Sequence, residues 1–523
     1  MPGVVISTSV RTGPSTATVR ESSQLFVVGL ANRGPSGEAV LVQSIAEFEA
    51  MFGDYRSDSY LHPTVETFFE EGGTQAYVAR TVGASATVGN LAIQNGAAAN
   101  CITLTANGPG AWSSDVEVVV TNNTTTAKLD LYFENTLVYT TGNCSTSSQM
   151  AGRINSSSIA SRYVSASLNS TTTLPATLAS TPLAAGNAYE NQVNAAKYLS
   201  TLTVFNDALG TGAVSCPEVS NDDVALRAGL IAHANSYSRI AILHGVAGAN
   251  SADIKATALA LQAEDNAEHA ALYYPWVTVP SGVAGVTRTI PPDGYVAAKR
   301  AVAHNQTGPQ LPAAGLISTA KFVSGAATDI DKSTGDDLDE NYVNAIRVIQ
   351  NTVRIYGARS LSSDSDNFRY ITQQDVVNTI VTECYRSLED LVFSTIDGRN
   401  TIFANIEARL LGWWLTQPAP VGPLDESESR KVLESCADGA IVAKAADCLG
   451  VFPVASARFL LETSPGLARA VLGSGNVRAG ACLYRLISPQ LTKSSSWRLF
   501  LQLADSFNGT ASELVECVTL LDA

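Results

Sequence analysis

From about residue 200 onward, apolar runs short enough for strands alternate with patterns long enough for helices, and this alternation restricts the chain more than any other feature. Residues 213–216, 239–243 and 272–279 read as strands, and residues 222–236 and 251–269 between them as helices. Strands joined through helices run parallel within one sheet, with the helices packed on its faces. The same signal stands earlier in the chain. Residues 25–30 form an unbroken apolar run ended by Asn32, Gly34 and Pro35, as expected of a strand buried on both sides. Ser44 is placed to cap a helix, with Glu47 in capping-box position and Phe48, Met51 and Phe52 following. A second helix is predicted over residues 60–71, stopped by Gly72 and Gly73, and residues 76–80 resume a strand.

Between these regions the composition changes. Residues 85–195 are poor in charge and rich in Thr, Asn and Ser, with alternating stretches at 102–105, 116–120 and 129–133, which predicts an inserted β domain. After Cys144 so many Ser and Thr occur that no element is assigned. Residues 3–22 carry Val4, Val5, Ile6, Thr8 and Val10 in an extended pattern without a helical stripe. Such a strand cannot satisfy its own backbone, so it is expected to act as an arm pairing with a sheet edge. Helical patterns follow at 374–393 and at 401–416, where Ile402, Ile406, Leu410 and Trp413 share a face. Pro418, Pro420 and Pro423 mark a linker, and Leu514, Val515, Val518 and Leu520 lie in a plausible terminal strand. The fold class is therefore α+β and multidomain: an α/β sheet core with an inserted antiparallel β domain and extended terminal arms. Its divisions are an arm (1–22), a discontinuous core (23–84 with 200–420), the insert (85–199) and a C-terminal domain (421–523).

Bulk charge narrows the function. With 33 Lys and Arg against 48 Asp and Glu, the net charge of −15 repels phosphate backbones, so nucleic acid is not expected as a partner. No apolar run reaches membrane-spanning length, no membrane insertion is expected, and no secretory leader is read at the N-terminus. The eight cysteines are scattered without zinc-ligand spacing, and buried thiols are the simplest reading.

Motifs for catalysis are scarce. Gly108-Pro109-Gly110 and Gly210-Thr211-Gly212 lack the context that phosphate binding needs and read as turns. His244 is placed just past a strand's carboxyl end, where open α/β sheets bind ligands, but a surface or loop-packing role is preferred. Asp329, Asp331, Ser333 and Glu340 fall at positions 1, 3, 5 and 12 of a calcium loop, yet Gly335 comes one place late, which favours a solvated acidic loop. No cofactor, no catalytic residue and no enzymatic activity are expected. Tyr273-Tyr274-Pro275-Trp276 and Trp413-Trp414 are read as core packing.

Several segments, in order, resemble the sheath protein of contractile phage tails and related contractile injection machines. Pro2-Gly3-Val4-Val5-Ile6 is similar to that family's start. Phe26-Val27-Val28-Gly29 with Gly34-Pro35, Phe48 and Phe52-Gly53 resembles its first strand and helix, and Phe68-Phe69-Glu70-Glu71-Gly72-Gly73 leading into Ala76-Tyr77-Val78-Ala79-Arg80 is similar to its Phe-Phe, Gly-Gly and Tyr-Val-x-Arg pattern. Tyr274-Pro275-Trp276, Ile290-Pro291-Pro292 and Tyr356-Gly357-Ala358-Arg359-Ser360-Leu361 resemble later motifs, so that the likeness covers residues 2–416 and fades beyond them. It implies a subunit that polymerises helically around a tail tube and contracts without nucleotide to drive the tube through a target envelope. The implied partners are copies of itself, the tube protein, and baseplate and tail terminator proteins. The implied location is the virion tail, assembled in the host cytoplasm. The arm and terminal strand would link neighbours. The rival readings are an α/β ligand-binding protein or enzyme, with Asp253 beside His244, and a surface adhesin-like assembly protein.

Overall fold

The computed structural model describes residues 21–169, 173–218, 223–281, 285–364 and 368–389. The chain divides into two units, and all of these residues except Asp364 belong to the first. The expected arm residues Val4, Val5, Ile6, Thr8 and Val10, the helix at 401–416 and the terminal residues Leu514, Val515, Val518 and Leu520 lie outside the described residues.

The first unit begins with β1 (Leu25–Gly29), all of it buried, then β2 (Val40–Val42), α1 (Ile45–Phe52), α2 (Leu61–Glu70) and β3 (Ala76–Arg80). Ser44 caps α1 by accepting a hydrogen bond from Glu47 N at 3.2 Å, and the Glu47 carboxylate reaches back to Gln43 N at 2.8 Å. The short edge strand β2 was not signalled, because three residues carry no period. Next come β4 (Asn90–Gln94), β5 (Asn100–Ala106), β6 (Val116–Asn122), β7 (Ala127–Phe133), β8 (Thr136–Thr140), α3 (Ser147–Asn155), β9 (Val164–Leu168) and β10 (Leu178–Pro182). They form two antiparallel sheets, ordered β10-β6-β7-β8 and β4-β5-β9, around a core that includes Ile102, Leu104, Val118, Leu129 and Met150. The Ser/Thr-rich stretch after Cys144 is thus structured: Thr146 caps α3 by accepting from Gln149 N at 3.1 Å, a role for which its hydroxyl suits it.

Three arginines hold these sheets to the rest of the unit. The buried Arg80 side chain donates to Ala31 O at 3.1 Å, Gly34 O at 2.9 Å and Pro109 O at 2.7 Å. Arg33 lies over the rings of Phe133 and Tyr163, and Arg56 makes a two-pronged pair with Glu190 at 2.8 and 2.7 Å. Gly108 makes this docking possible: its φ is +135°, and a Cβ there would lie 1.9 Å from Gly34 O.

The alternating region then supplies α4 (Ala195–Leu202), β11 (Ala213–Ser215), α5 (Val224–Ser236), β12 (Ile240–His244), α6 (Ser251–Leu261) and β13 (Ala270–Tyr274). The helix expected over 251–269 ends at Leu261, and a separate 3-10 turn covers Ala267–His269; Asn266, at φ +64°, breaks the helical path between them. The strand expected over 272–279 is also two strands. Pro275 has no N–H to continue the ladder, and β14 (Val277–Pro280) joins β15 (Thr287–Ile290) in another sheet. There follow α7 (Asp293–Gln306), β16 (Gly325–Ala326), α8 (Lys332–Glu340), β17 (Val343–Ile349), β18 (Thr352–Tyr356) and α9 (Ile371–Glu389).

The central sheet has the order β18-β17-β13-β12-β11-β1-β3-β2. Its inner strands are parallel and only the edge strands β2 and β18 are antiparallel. Leu25 and Val27 enter a core shared with α1, α2 and α7, while Phe26 and Val28 enter another shared with α4, α5 and α6. Helices on both faces therefore explain the unbroken apolar run. The β18 edge is covered by residues 318–320: Ile355 N donates to Ser318 Oγ at 3.0 Å and Ala320 N to Val353 O at 2.9 Å.

Candidate functional site

In an open parallel sheet, ligands enter where successive connections leave in opposite directions at the carboxyl ends of the strands. Here the chain goes from β1 to β3 on one side and later places β11, β12 and β13 on the other, so that point lies at the ends of β1 and β11. It is filled by the chain itself. Glu218 Oε1 accepts from Tyr60 N at 3.1 Å, Leu61 N at 3.2 Å and Leu30 N at 3.4 Å, and from the Ser59 hydroxyl. Burial pushes the Glu218 carboxyl up from its ordinary range, and these donors oppose that shift. The carboxylate thus sits at the start of α2, where a bound anion would sit. Gly29 lets it approach, since a Cβ there would lie 2.8 Å from Leu61 Cβ and 3.0 Å from Glu218 Oε1.

Beside it, the last residues of two strands meet the first residue of α7. Ser215 donates to Asp293 Oδ2, and His244 Nδ1 lies 2.7 Å from Asp293 Oδ1. His244 is therefore a buried strand residue, contrary to the surface or loop role expected of it. The burial follows from α7 crossing the strand ends and Trp276 closing the side, its Nε1 donating to Gly245 O at 2.8 Å. Ser215 and His244 share one carboxylate, so the hydroxyl faces Asp293 and not the second imidazole nitrogen. That is not a nucleophile–base pair. His244 Nε2 is buried without a hydrogen-bond partner, and Asp253 is engaged elsewhere, in the capping box of α6 with Asn250.

α7 continues this network along its length. Lys299 Nζ pairs with Glu71 Oε2 at 2.6 Å, both fully buried. Glu71 also accepts from Lys321 N, Phe322 N and Val323 N at 2.7 to 3.0 Å, fastening that loop to the end of α2. Arg300 forks onto Asp375 of α9, and His304 lies between Ser22 and Asp375. The Arg300 guanidinium and His304 hold the Asp375 carboxyl below its ordinary range against the opposing effect of burial. Sequence reasoning missed Asp293, Lys299, Arg300 and His304, because charges on a helix normally mark its solvent face. The available signal was that Val296, Ala297, Ala298, Ala301 and Ala303 surround the helix, leaving no polar side.

The two glycine pairs contact cations, not anions. Pro109 O receives Arg80, and Gly210 O receives Arg239 Nε at 3.0 Å. Burial lowers these guanidinium pKa values to about 10 for Arg80 and about 9 for Arg239.

The acidic run is neither a calcium loop nor a solvated loop. Asp331 is the N-cap of α8, accepting from Thr334 N at 2.7 Å, which holds its carboxyl below the ordinary range. Ser333, Gly335 and Glu340 lie within the helix, while Asp329 precedes it. A helix separates side chains that a calcium loop would wrap round one point. Asp337 pairs with Lys255 and Asp339 with Arg359. Among the described residues no cluster of three or more His, Cys, Asp or Glu could hold a metal ion. Cys101, Cys144 and Cys216 are buried free thiols, and no described helix is long and apolar enough to cross a membrane.

No protein-family model matches the chain, and no curated protein matches its sequence. Solved structures do. The sheath tail protein of Listeria innocua is 16% identical, with a TM-score of 0.52 over 75% of this chain and 84% of that one. The sheath tail protein of Desulfitobacterium hafniense is 15% identical, with a TM-score of 0.47 over 79% of this chain and 88% of that one. The sheath complex of an extracellular contractile injection system in its contracted state matches at 13% identity and a TM-score of 0.45, over 80% of this chain and 82% of that one. On the Listeria innocua comparison, the chain has the fold of a sheath tail protein.

Proposed function

We propose that the chain is a structural subunit of a contractile tail sheath, without enzymatic activity. The observation that carries this reading is the fold shared with the Listeria innocua sheath tail protein over most of both chains. The ordered motifs from Pro2 to Leu361 support it independently. In this reading copies stack head to tail on a helical lattice around a tail tube, and subunits repack as the sheath contracts and drives the tube through a target envelope. The partners are other copies, the tube protein, and baseplate and tail terminator proteins; the location is a virion tail assembled in the host cytoplasm. The sheets formed by β4 to β10 belong to an outward-facing domain bounded at 85–199. Residues 1–22, through Val4, Val5, Ile6, Thr8 and Val10, and the strand with Leu514, Val515, Val518 and Leu520 join neighbours by strand addition.

A ligand-binding or enzymatic role has less support, because Glu218 occupies the position at the end of β1 where a substrate anion would bind. Electron microscopy of the purified chain and of a variant lacking residues 1–22 tests the reading. The full chain should form hollow striated tubes and the deletion should remain dispersed. Tubes from the deletion would remove the arm's role, and dispersed particles from both would remove the sheath.

A further inference from the structure

Two segments more than 350 residues apart are fastened by the same two side chains of α7. Ser22, just before β1 and buried, is held at its carbonyl by Arg300 Nη1 and at its hydroxyl by His304 Nδ1 at 3.1 Å. The other edge of the Arg300 guanidinium, Nε and Nη2, binds the Asp375 carboxylate of α9, and His304 Nε2 lies 3.5 Å from the same carboxylate. Because the guanidinium is rigid and planar, one orientation serves both partners. Turning it to follow either partner forfeits the other. α9 is seated further by Gln374, within 3.0 Å of His269 Nε2, and by Asn378, which donates to Arg239 O at 3.1 Å. Ser22 lies outside the central sheet, whose first strand begins at Leu25, so the clamp holds the chain just ahead of that strand.

We propose that Arg300, His304 and Asp375 form a mechanical coupler that ties the root of the N-terminal segment to α9, so that loosening either segment loosens the other. The geometry stands on its own, while its purpose rests on the sheath reading. There, residues 1–20 transmit the pull of a neighbour to Ser22, and the clamp passes it to α9. A buried ion pair suits this role, since losing one member leaves an uncompensated charge and the clamp opens as a whole.

Amide hydrogen exchange on the unassembled full-length chain tests the coupler without requiring tubes. Asp375→Asn alters α9 and does not touch residues 21–23. It should nevertheless speed exchange at residues 22–25 roughly tenfold, together with residues 371–379, and leave β12 and β6 unchanged. Arg300→Lys, which keeps the charge but loses the fork, should give the same paired response, and serves alone if Asp375→Asn does not fold. Faster exchange in α9 with residues 22–25 unchanged would overturn the coupler. So would an equal rise throughout the unit, which marks general destabilisation. Absence of tubes from the unaltered chain would instead overturn the sheath reading and leave the exchange result to judge the coupler.

Discussion

Replacing Glu218 by alanine removes the acceptor at the carboxyl ends of β1 and β11. Four donors meet at Oε1, but they are not equally exposed to its loss. The Ser59 hydroxyl has an alternative acceptor in Leu30 O at 2.9 Å, and Leu61 N lies 3.1 Å from Ser59 Oγ. The amides of Leu30 and Tyr60 have no such alternative. Two half-buried N–H groups left without an acceptor cost about 1–2 kcal/mol each, partly offset because a desolvated carboxylate is also removed, so about 2 kcal/mol is expected for E218A. E218Q keeps an oxygen at the same place and should cost only about 1 kcal/mol. Urea unfolding of the full-length chain, followed by circular dichroism, gives both values, and amide exchange at Leu30 and Tyr60 localises the effect. Formate, small enough to enter the vacated space, should restore part of the E218A loss. If E218A costs less than about 0.5 kcal/mol, or E218Q as much as E218A, the carboxylate is not the acceptor that holds these strand ends together.

The Glu71–Lys299 pair should respond unequally. K299M leaves the carboxylate with three backbone donors, whereas E71L strands those three amides and leaves the buried ammonium only the residue-71 carbonyl at 3.3 Å, so in thermal unfolding E71L should cost about 4 kcal/mol and K299M clearly less. Burial depresses the pKa values of His233, His269 and His304, that of His233 to about 3, with Arg239 adding to the effect there. The folded chain therefore binds fewer protons at these three side chains than the unfolded chain, which protonates them below about 6.5. Stability is therefore present above that pH and lost as pH falls through it, by up to about 1.4 kcal/mol per pH unit for each histidine. The raised carboxyls of Glu218 and Glu66, both pushed up by burial, act in the opposite sense, but they are two groups against three. A flat urea midpoint between pH 7 and 5 would contradict this. R80A frees Pro109 O and Gly34 O from their shared guanidinium and should expose residues 83–89 and 186–193 to limited proteolysis. Cleavage unchanged from the parent would mean that Arg33 and Arg56 suffice to hold the sheets formed by β4 to β10.

Much of the fold was legible because its signals are local. The run Leu25–Gly29, the cap at Ser44 and the Gly72-Gly73 stop each act within a few residues, and the corresponding elements are found there. What escaped depends on partners distant in sequence. His244 reads as peripheral until Asp293, 49 residues later, is laid across the end of its strand. Glu71 reads as an ordinary helix end until residues 321–323 donate to it, and Asp331 changes from a residue of a solvated acidic loop to a cap once the residues after it become helical. The buried charges of α7 are invisible for the same reason: nothing near Lys299 or Arg300 in sequence supplies their counter-ions.

Helical reconstruction by cryo-electron microscopy of the purified full-length chain is the most direct test of the sheath reading. A sheath subunit should give tubes with an open lumen, in which the described unit repeats on a helical lattice and residues 4–10 of each copy pair with a strand of its neighbour. A monodisperse monomer, a closed ring, or tubes in which residues 4–10 stay within their own copy would contradict it.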